Sequence, residues 1–460
     1  QQTRIANTYE FHDLNKVPKL AITVGISSIM KAKKIVLLAW GDKASIVAKS
    51  IEGDVTEQIP ASVLQNHDDC TFVIDELAAT ELTRNKSPWL TGANDWTPQM
   101  IKKAVIELAL KLDKTVLSLT ADDYKENSLA DLLVLKESVY DINLQVFYML
   151  RDSITGWPGG KPNVVIPAHP ERSNPFPKKV LIFSPHPDDD IISMGGTFMR
   201  LQDQGHDVHV GYQTSGNIAV TDEFVTRFID FAVGFEDMFG IDNKMSQSIL
   251  NEARNYIASK KKNQVDTPEI RAIKGLIRRC EAKATCRYVG LPDESRCHFQ
   301  NLPFYETGTI DKNPMSEADV LKTMELLIEL KPQQVFCAGD LADPHGTHKV
   351  CLDAIFEAIT RLKHREYMKN CWVWLYKGAW AEWDIDQIEM AVPMSPDQVF
   401  KKRMGIFKHQ SQKDGVVFQG DDSREFWQRA EDRNRGTAQI YNRLGLAEYE
   451  AMEAFVRWKF

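Results

Sequence analysis

The run Ser184-Pro185-His186-Pro187-Asp188-Asp189-Asp190 constrains this chain more than any other stretch. It follows the apolar segment Lys179-Val180-Leu181-Ile182-Phe183 and leads into Ile191-Ile192-Ser193-Met194-Gly195-Gly196. A short apolar run, a break and a 3.6-spaced segment predict strand, turn and helix. Pro187 suits the first helical position, and the carboxylates after it suit the positive end of a helix dipole. The break is therefore a βα turn carrying one imidazole and three carboxylates. In an open α/β sheet, chemistry sits outside the carboxyl ends of the strands, where such a turn lies.

Imidazole nitrogen and carboxylate oxygen together suit zinc, or another divalent first-row metal, better than calcium or magnesium. A further ligand is expected well downstream, where Gln333-Gln334-Val335-Phe336-Cys337-Ala338 reads as a second buried strand. It runs into Gly339-Asp340-Leu341-Ala342-Asp343-Pro344-His345-Gly346-Thr347-His348. His186, Asp189 and His348 can then form a three-ligand site with one position left for water, the usual arrangement of a catalytic zinc.

His186-Pro187-Asp188-Asp189, with a later cluster holding His345 and His348, resembles the LmbE/PIG-L metal-dependent N-deacetylases, which remove acetyl from N-acetylglucosamine-type groups. The resemblance runs over roughly 178–412 and includes His409-Gln410-Ser411-Gln412. It implies His186, Asp189 and His348 as metal ligands, Asp188 as general base and His345 as the group that stabilises the oxyanion. It also implies a Rossmann-like domain with a mostly parallel sheet. Two positions depart from the pattern: Asp190 stands where the family usually has Glu, and Gly346-Thr347 replaces the commoner Pro-Asp between the histidines. Neither removes a ligand.

A chain of 460 residues is too long for one ordinary domain, and its 43% hydrophobic content can supply a substantial core. A net charge of −8 argues against a nucleic-acid surface, which normally shows a basic face. No apolar run approaches the length that a membrane helix needs. The seven cysteines, with no C-x-x-C pair, read as free thiols in a reducing compartment, so a cytoplasmic location is expected.

Ahead of the metal turn lies a second strand–turn–helix pattern. Lys34-Ile35-Val36-Leu37-Leu38-Ala39-Trp40 predicts a buried strand, Gly41-Asp42-Lys43 a turn, and Ala44 to Ile51 a helix. Backbone amides at the helix start with Lys43 beside them can hold a phosphate. The wider stretch includes Thr3-Arg4-Ile5-Ala6-Asn7, Val17 to Gly25, Gly41-Asp42-Lys43-Ala44, Glu52-Gly53 and Ser62-Val63-Leu64-Gln65. Together these resemble the carboxyl-terminal part of glucosamine-6-phosphate deaminases, over about residues 1–85. The resemblance implies Lys43 as a ligand of the sugar phosphate. That family's proton-transfer aspartates and histidine lie upstream of anything present here, so a partial α/β deaminase-like segment is expected. His67-Asp68-Asp69 repeats the residue types of the metal turn but precedes a strand, the wrong end for catalysis.

The expected organisation is an α/β chain in four parts. A deaminase-like segment covers 1–90, and a helical connector with a Pro-rich linker covers 91–177. The deacetylase-like domain covers 178–412, and a tail of one or two amphipathic helices covers 413–460. Arg287-Tyr288-Val289 reads as a further strand, and residues 222–283 as a largely helical insertion that forms a lid or an oligomer contact. Trp380 and Trp383 are candidates for stacking on a sugar face. A small-molecule amino sugar is the expected partner, with no nucleic acid, no membrane, and a homo-oligomeric assembly. The alternative is a glucosamine-6-phosphate deaminase/isomerase-like protein whose catalytic half is absent from this sequence.

Overall fold

The computed structural model describes every residue except 1–16, 21, 42, 136–137, 262–263, 292, 310, 340–345, 380 and 414–423. Contacts divide the chain into two compact units, residues 1–95 and 96–460. The connector and the tail expected as separate parts thus fall in the same unit as the deacetylase-like domain.

In the first unit, β1 (Ile35–Ala39) is followed by α1 (Ala44–Ile51), and β2 (Cys70–Ile74) pairs parallel to β1. Ala39, Val47, Ala78 and Leu82 form its small core. The other face of the two-stranded sheet is open: Val36, Leu38 and Val73 are 52%, 60% and 53% exposed.

The second unit begins with α2 (Pro98–Leu112) and α3 (Val139–Ser153). The sheet and its crossovers follow in the order β3 (Lys179–Ser184), α4 (Asp189–Asp203), β4 (Asp207–Tyr212), α5 (Asp222–Phe239), α6 (Lys244–Ser259), α7 (Pro268–Tyr288) and β5 (Cys297–Phe299). After them come α8 (Glu317–Leu330), β6 (Gln334–Ala338), α9 (Thr347–Leu362), β7 (Trp372–Tyr376), β8 (Met390–Met394), α10 (Pro396–Ile406), α11 (Phe426–Arg443) and β9 (Ala451–Trp458). The seven strands lie in the order β5-β4-β3-β6-β7-β9-β8. Five are parallel; β9 runs antiparallel to both β7 and β8. From β3 the chain winds outward through β4 to β5, then returns to place β6 on the other side of β3. That reversal of strand order opens a crevice at the carboxyl ends of β3 and β6, the place where doubly wound sheets bind ligands.

Both faces of this sheet are covered. Val180, Ile182, Val208, Val210 and Phe336 pack with α4, and Leu181, Phe183, Val335 and Val373 pack with α8 and α9. Near-continuous apolar runs are what two-sided burial requires of parallel strands.

Three expectations change. The tail is not all helix, because residues 451–458 form β9 inside the sheet. Ala, Met and Glu favour helix locally, but the partners on either side decide. Arg287-Tyr288-Val289 closes helix α7, and the strand beside β4 is Cys297–Phe299. The Pro-rich segment before β3 is no free linker: Arg172 donates to Asp152 O, Lys178 Nζ to Ser173 O and Pro175 O, and Gln334 to Pro158 O.

Helix α4 is bent. Met194 leaves helical geometry (φ −138°, ψ 28°), which frees backbone groups on either side of it. Glu453 from β9 takes the N–H groups of Gly196 (2.9 Å) and Thr197 (2.7 Å), and Arg433 from α11 takes the Ser193 carbonyl (3.1 Å). Glu453 is fully buried and paired with Lys402 at 2.7 Å. Burial raises its pKa, but Lys402, Thr197 and the Gly196 amide outweigh that and hold it below the ordinary value.

Candidate metal centre

The turn after β3 is fixed by its own polar groups. Ser184 Oγ donates to the His186 carbonyl and accepts from Asp190 N–H (3.1 Å), while Thr214 Oγ1 donates to the Pro185 carbonyl (2.7 Å). Helix α4 starts at Asp189 with Asp188 in the capping position, so Pro187 stands just before the helix rather than inside its first turn. Gly216 (φ +64°) lets the loop after β4 close on the turn, since a Cβ there would stand 2.9 Å from both Pro187 Cδ and Arg278 Nε.

Three side chains converge at the crevice. His186 Nδ1 is 3.2 Å from Asp189 Oδ2, His348 Nε2 is 3.2 Å from the same oxygen, and His348 Nε2 is 3.3 Å from His186 Nδ1. Ligand atoms about 2.0 Å from a tetrahedral ion stand about 3.3 Å apart, so these three trace one face of a zinc-sized tetrahedron. The donor set, two imidazoles and a carboxylate, is also the chemistry that such an ion takes. Among the described residues it is the group whose ligand atoms lie close enough together to hold a metal ion. Burial pushes the Asp189 carboxyl up, yet His348 and His186 overcome it and hold the group well below the usual carboxylate range.

Asp188 is not one of the three and is paired with an arginine. Its Oδ1 is 2.9 Å from Arg278 Nη2 on α7, and the Arg278 side chain is only 1% exposed. Asp190 lies beneath the turn, fully buried, accepting from Tyr212 Oη (3.0 Å). Burial raises its pKa to about 7, with the neighbouring Asp188 and Asp189 adding to the shift and the tyrosine opposing it. Tyr305 sets its ring edge against His186, with centroids 5.8 Å apart. His409, from the His-Gln-Ser-Gln segment, bonds Thr285 at 2.9 Å, and Ser411 beside it binds the Glu281 carboxylate.

Arg278 and Tyr305 were not singled out from the sequence. Arg278 lies in a helix rich in basic residues, and only its burial beside Asp188 distinguishes it. His345, together with Asp340, Asp343 and Trp380, lies outside the described residues. Trp383 donates its indole N–H to the Leu375 carbonyl (3.1 Å) and packs against Gly339, so it is tied to the end of β7.

In the first unit, Lys43 Nζ donates to the carbonyl of Trp40 (3.0 Å) in its own turn. The Gly41 amide is taken by Asp75 (3.0 Å), which also accepts from Ala78 N–H. His67 Nε2 contacts the Ala32 carbonyl ahead of β1.

Residues 181–359 match the PIG-L family model, described as GlcNAc-PI de-N-acetylase. A glucosamine-6-phosphate deaminase-like protein of Bacteroides thetaiotaomicron is 50% identical over 455 residues, 97% of this chain and 68% of that protein. A glucosamine-6-phosphate deaminase of Streptococcus agalactiae is 50% identical over 78 residues, 17% of this chain and 34% of the enzyme. Among solved structures, the N,N'-diacetylchitobiose deacetylase of Pyrococcus horikoshii aligns with a TM-score of 0.38 at 20% identity, covering 61% of this chain and 84% of that one. The Bacteroides match is the decisive one, since it covers 97% of this chain and so spans both units. The chain belongs to the family of that Bacteroides glucosamine-6-phosphate deaminase-like protein, with a PIG-L domain of the de-N-acetylase type at residues 181–359.

Proposed function

We propose that the second unit hydrolyses the N-acetyl group of an amino sugar or its conjugate, using a divalent metal, zinc for preference, held by His186, Asp189 and His348. The observation that carries this reading is the triangle of ligand atoms, with edges of 3.2 to 3.3 Å, at the reversal of strand order. The PIG-L match supports the reaction type.

A divalent ion at that triangle would acidify water and polarise the amide carbonyl. Amide hydrolysis also needs a group to take a proton from water and return it to the departing nitrogen. Asp188 is assigned this role: Arg278 holds Oδ1, which leaves Oδ2 as the oxygen that carries the proton. Arg278 thereby positions the base, and its burial keeps water from competing for the pair. His345, three residues before His348, is assigned the oxyanion, as in the family that the motif resembles. The products are acetate and a free amine.

Metal analysis of the purified chain, followed by acetate release from N-acetylglucosamine derivatives with and without chelator, tests the reading. Chelation should abolish release and zinc should restore it. A metal-loaded protein inert towards every N-acetyl sugar would reject it.

A second reading concerns the first unit, and the name and identity of the Bacteroides relative favour it. In a longer chain this unit would contribute Lys43 to a glucosamine 6-phosphate site. The lysine would have to leave the Trp40 carbonyl to do so.

A further inference from the structure

We propose that the cavity beside the metal turn is a subsite for a phosphomonoester carried by the substrate, with Arg271 and Arg279 as its specificity-determining residues. The proposal rests on the hydrolase reading above and specifies its substrate class.

The cavity has a volume of about 530 Å³ and is reached past Pro187, the residue between His186 and Asp188. One wall is a single row of α7: Arg271, Gly275 and Arg279, at positions i, i+4 and i+8, share one face of the helix. The two arginine Cα atoms are thus about 12 Å apart along the helix. At the middle position a Cβ would already stand 3.4 Å from Ser215 Cβ, so glycine lets the loop after β4 approach the helix between the two arginines.

Both guanidinium groups are held by their surroundings. Arg271 packs against Gly308, where a Cβ would come within 2.8 to 3.1 Å of Arg271 Cδ, Nη1 and Nε. Its Nη1 donates to the Glu306 carbonyl at 3.1 Å, and its Nε is buried with no hydrogen-bond acceptor among the described residues. Arg279 lies over the ring of Phe299, 4.6 Å from its centroid, and Phe299 in turn stacks on Tyr212 at 5.0 Å. Such stacking fixes the plane of a guanidinium without using its N–H groups.

One carboxylate also lines the cavity, and it is already engaged. Glu306 accepts from Ser215 N–H (3.1 Å), Ser215 Oγ (3.0 Å) and Asn217 Nδ2 (3.0 Å), which ties the loop after β4 to the cavity wall. Two cations therefore face one carboxylate whose oxygens are both taken by neutral donors. Paired guanidinium forks match the oxygens of a dianionic phosphate, and they suit it better than a singly charged carboxylate or a neutral hydroxyl. Pro187, the sequence neighbour of His186, lines the cavity, so the proposal places an N-acetyl group at the turn and a phosphate in the cavity within one small sugar.

The test compares kcat/KM of the zinc-loaded full chain for N-acetylglucosamine 6-phosphate, N-acetylglucosamine, and the analogue with a carboxylate at C6. The phosphorylated sugar should be preferred to the neutral one by about 10-fold or more, through a lower KM, and Arg279→Ala should bring that ratio close to one. Arg271→Lys keeps the charge but not the fork, and should cut the ratio less. Equal rates on phosphorylated and neutral sugars, or an Arg279→Ala variant that slows both alike, would overturn the proposal. A preference for the carboxylate would overturn the phosphate assignment. If no N-acetyl sugar is hydrolysed, the hydrolase reading fails while the subsite remains measurable. Calorimetric titration should then show glucosamine 6-phosphate binding more tightly than glucosamine to the wild type and equally weakly to Arg279→Ala; equal binding to the wild type would reject the subsite.

Discussion

The turn after β3 and the turn after β1 are built on the same local plan: an apolar strand, a break and an amphipathic helix. At the first, every strand residue from Val180 to Ser184 is buried, and the first turn of α9, the helix that follows the neighbouring strand β6, brings His348 to the same group. At the second, Val36 and Leu38 of β1 are more than half exposed, and Lys43 bonds back to the carbonyl of its own turn. Parallel sheets normally have both faces covered, and a sheet of two strands has no reversal of strand order. A strand–turn–helix segment therefore supplies candidate groups, and a second loop from across a covered sheet makes them a site.

The largest expected effect is at the triangle. His348→Ala or Asp189→Ala should reduce N-acetyl hydrolysis to background and lower bound metal, measured by acetate release and elemental analysis. The same change at the other turn, Lys43→Ala, should leave both unaltered; a loss there would mean that the two turns act in one reaction. Next, Asp188→Asn should lower kcat by about 10²- to 10⁴-fold while metal content is kept, because it removes the proton carrier and not a ligand. Loss of metal in that variant would place Asp188 among the ligands instead.

The covered sheet can be probed through its buried ion pair. Glu453→Gln leaves Lys402 charged and uncompensated, which should cost about 3–5 kcal/mol in urea unfolding of the second unit. Adding Lys402→Met should recover only part, because the Gly196 and Thr197 amides still lack their carboxylate.

A smaller effect is expected in acid. The His206 imidazole is pushed down to about 4, by burial and then by Lys178, and its Nδ1 accepts the Lys178 N–H at 3.0 Å, which only an unprotonated nitrogen can do. In the unfolded chain the ordinary value is about 6.5. The stabilisation is therefore complete above about pH 6.5, declines as pH falls because the unfolded state takes up the proton first, and is lost below about 4. The total is about 3 kcal/mol. Melting temperatures between pH 4 and 7 should fall for the wild type and fall less for His206→Asn, which keeps an acceptor but does not titrate. Equal slopes would show that other groups govern the acid limit.

Much of this was legible in the sequence because the informative segments are locally consistent. Val180–Phe183 and Val335–Ala338 are apolar throughout, as strands buried on both faces must be, and each is followed by polar residues that mark the crevice. The three candidate ligands could be named because histidine and aspartate beyond strand ends have few structural reasons to cluster. β9 was hidden for the opposite reason. Its buried Glu453 interrupts the apolar pattern, and the groups that justify a charge there, Lys402 and the bend at Met194, are distant in sequence. Arg278 was hidden likewise, one basic residue among several on α7 until its burial against Asp188 is seen.

The place of β9 has a consequence for biosynthesis. It leaves the ribosome after every other strand of its sheet, yet it fits between β7 and β8 rather than at the rim. Until it emerges, those two strands present unpaired edges, and the helix that begins at Asp189 lacks the carboxylate that secures its bend. The nascent chain thus carries a half-zipped sheet from the synthesis of β7 until β9 is made, an interval in which exposed strand edges favour wrong pairings.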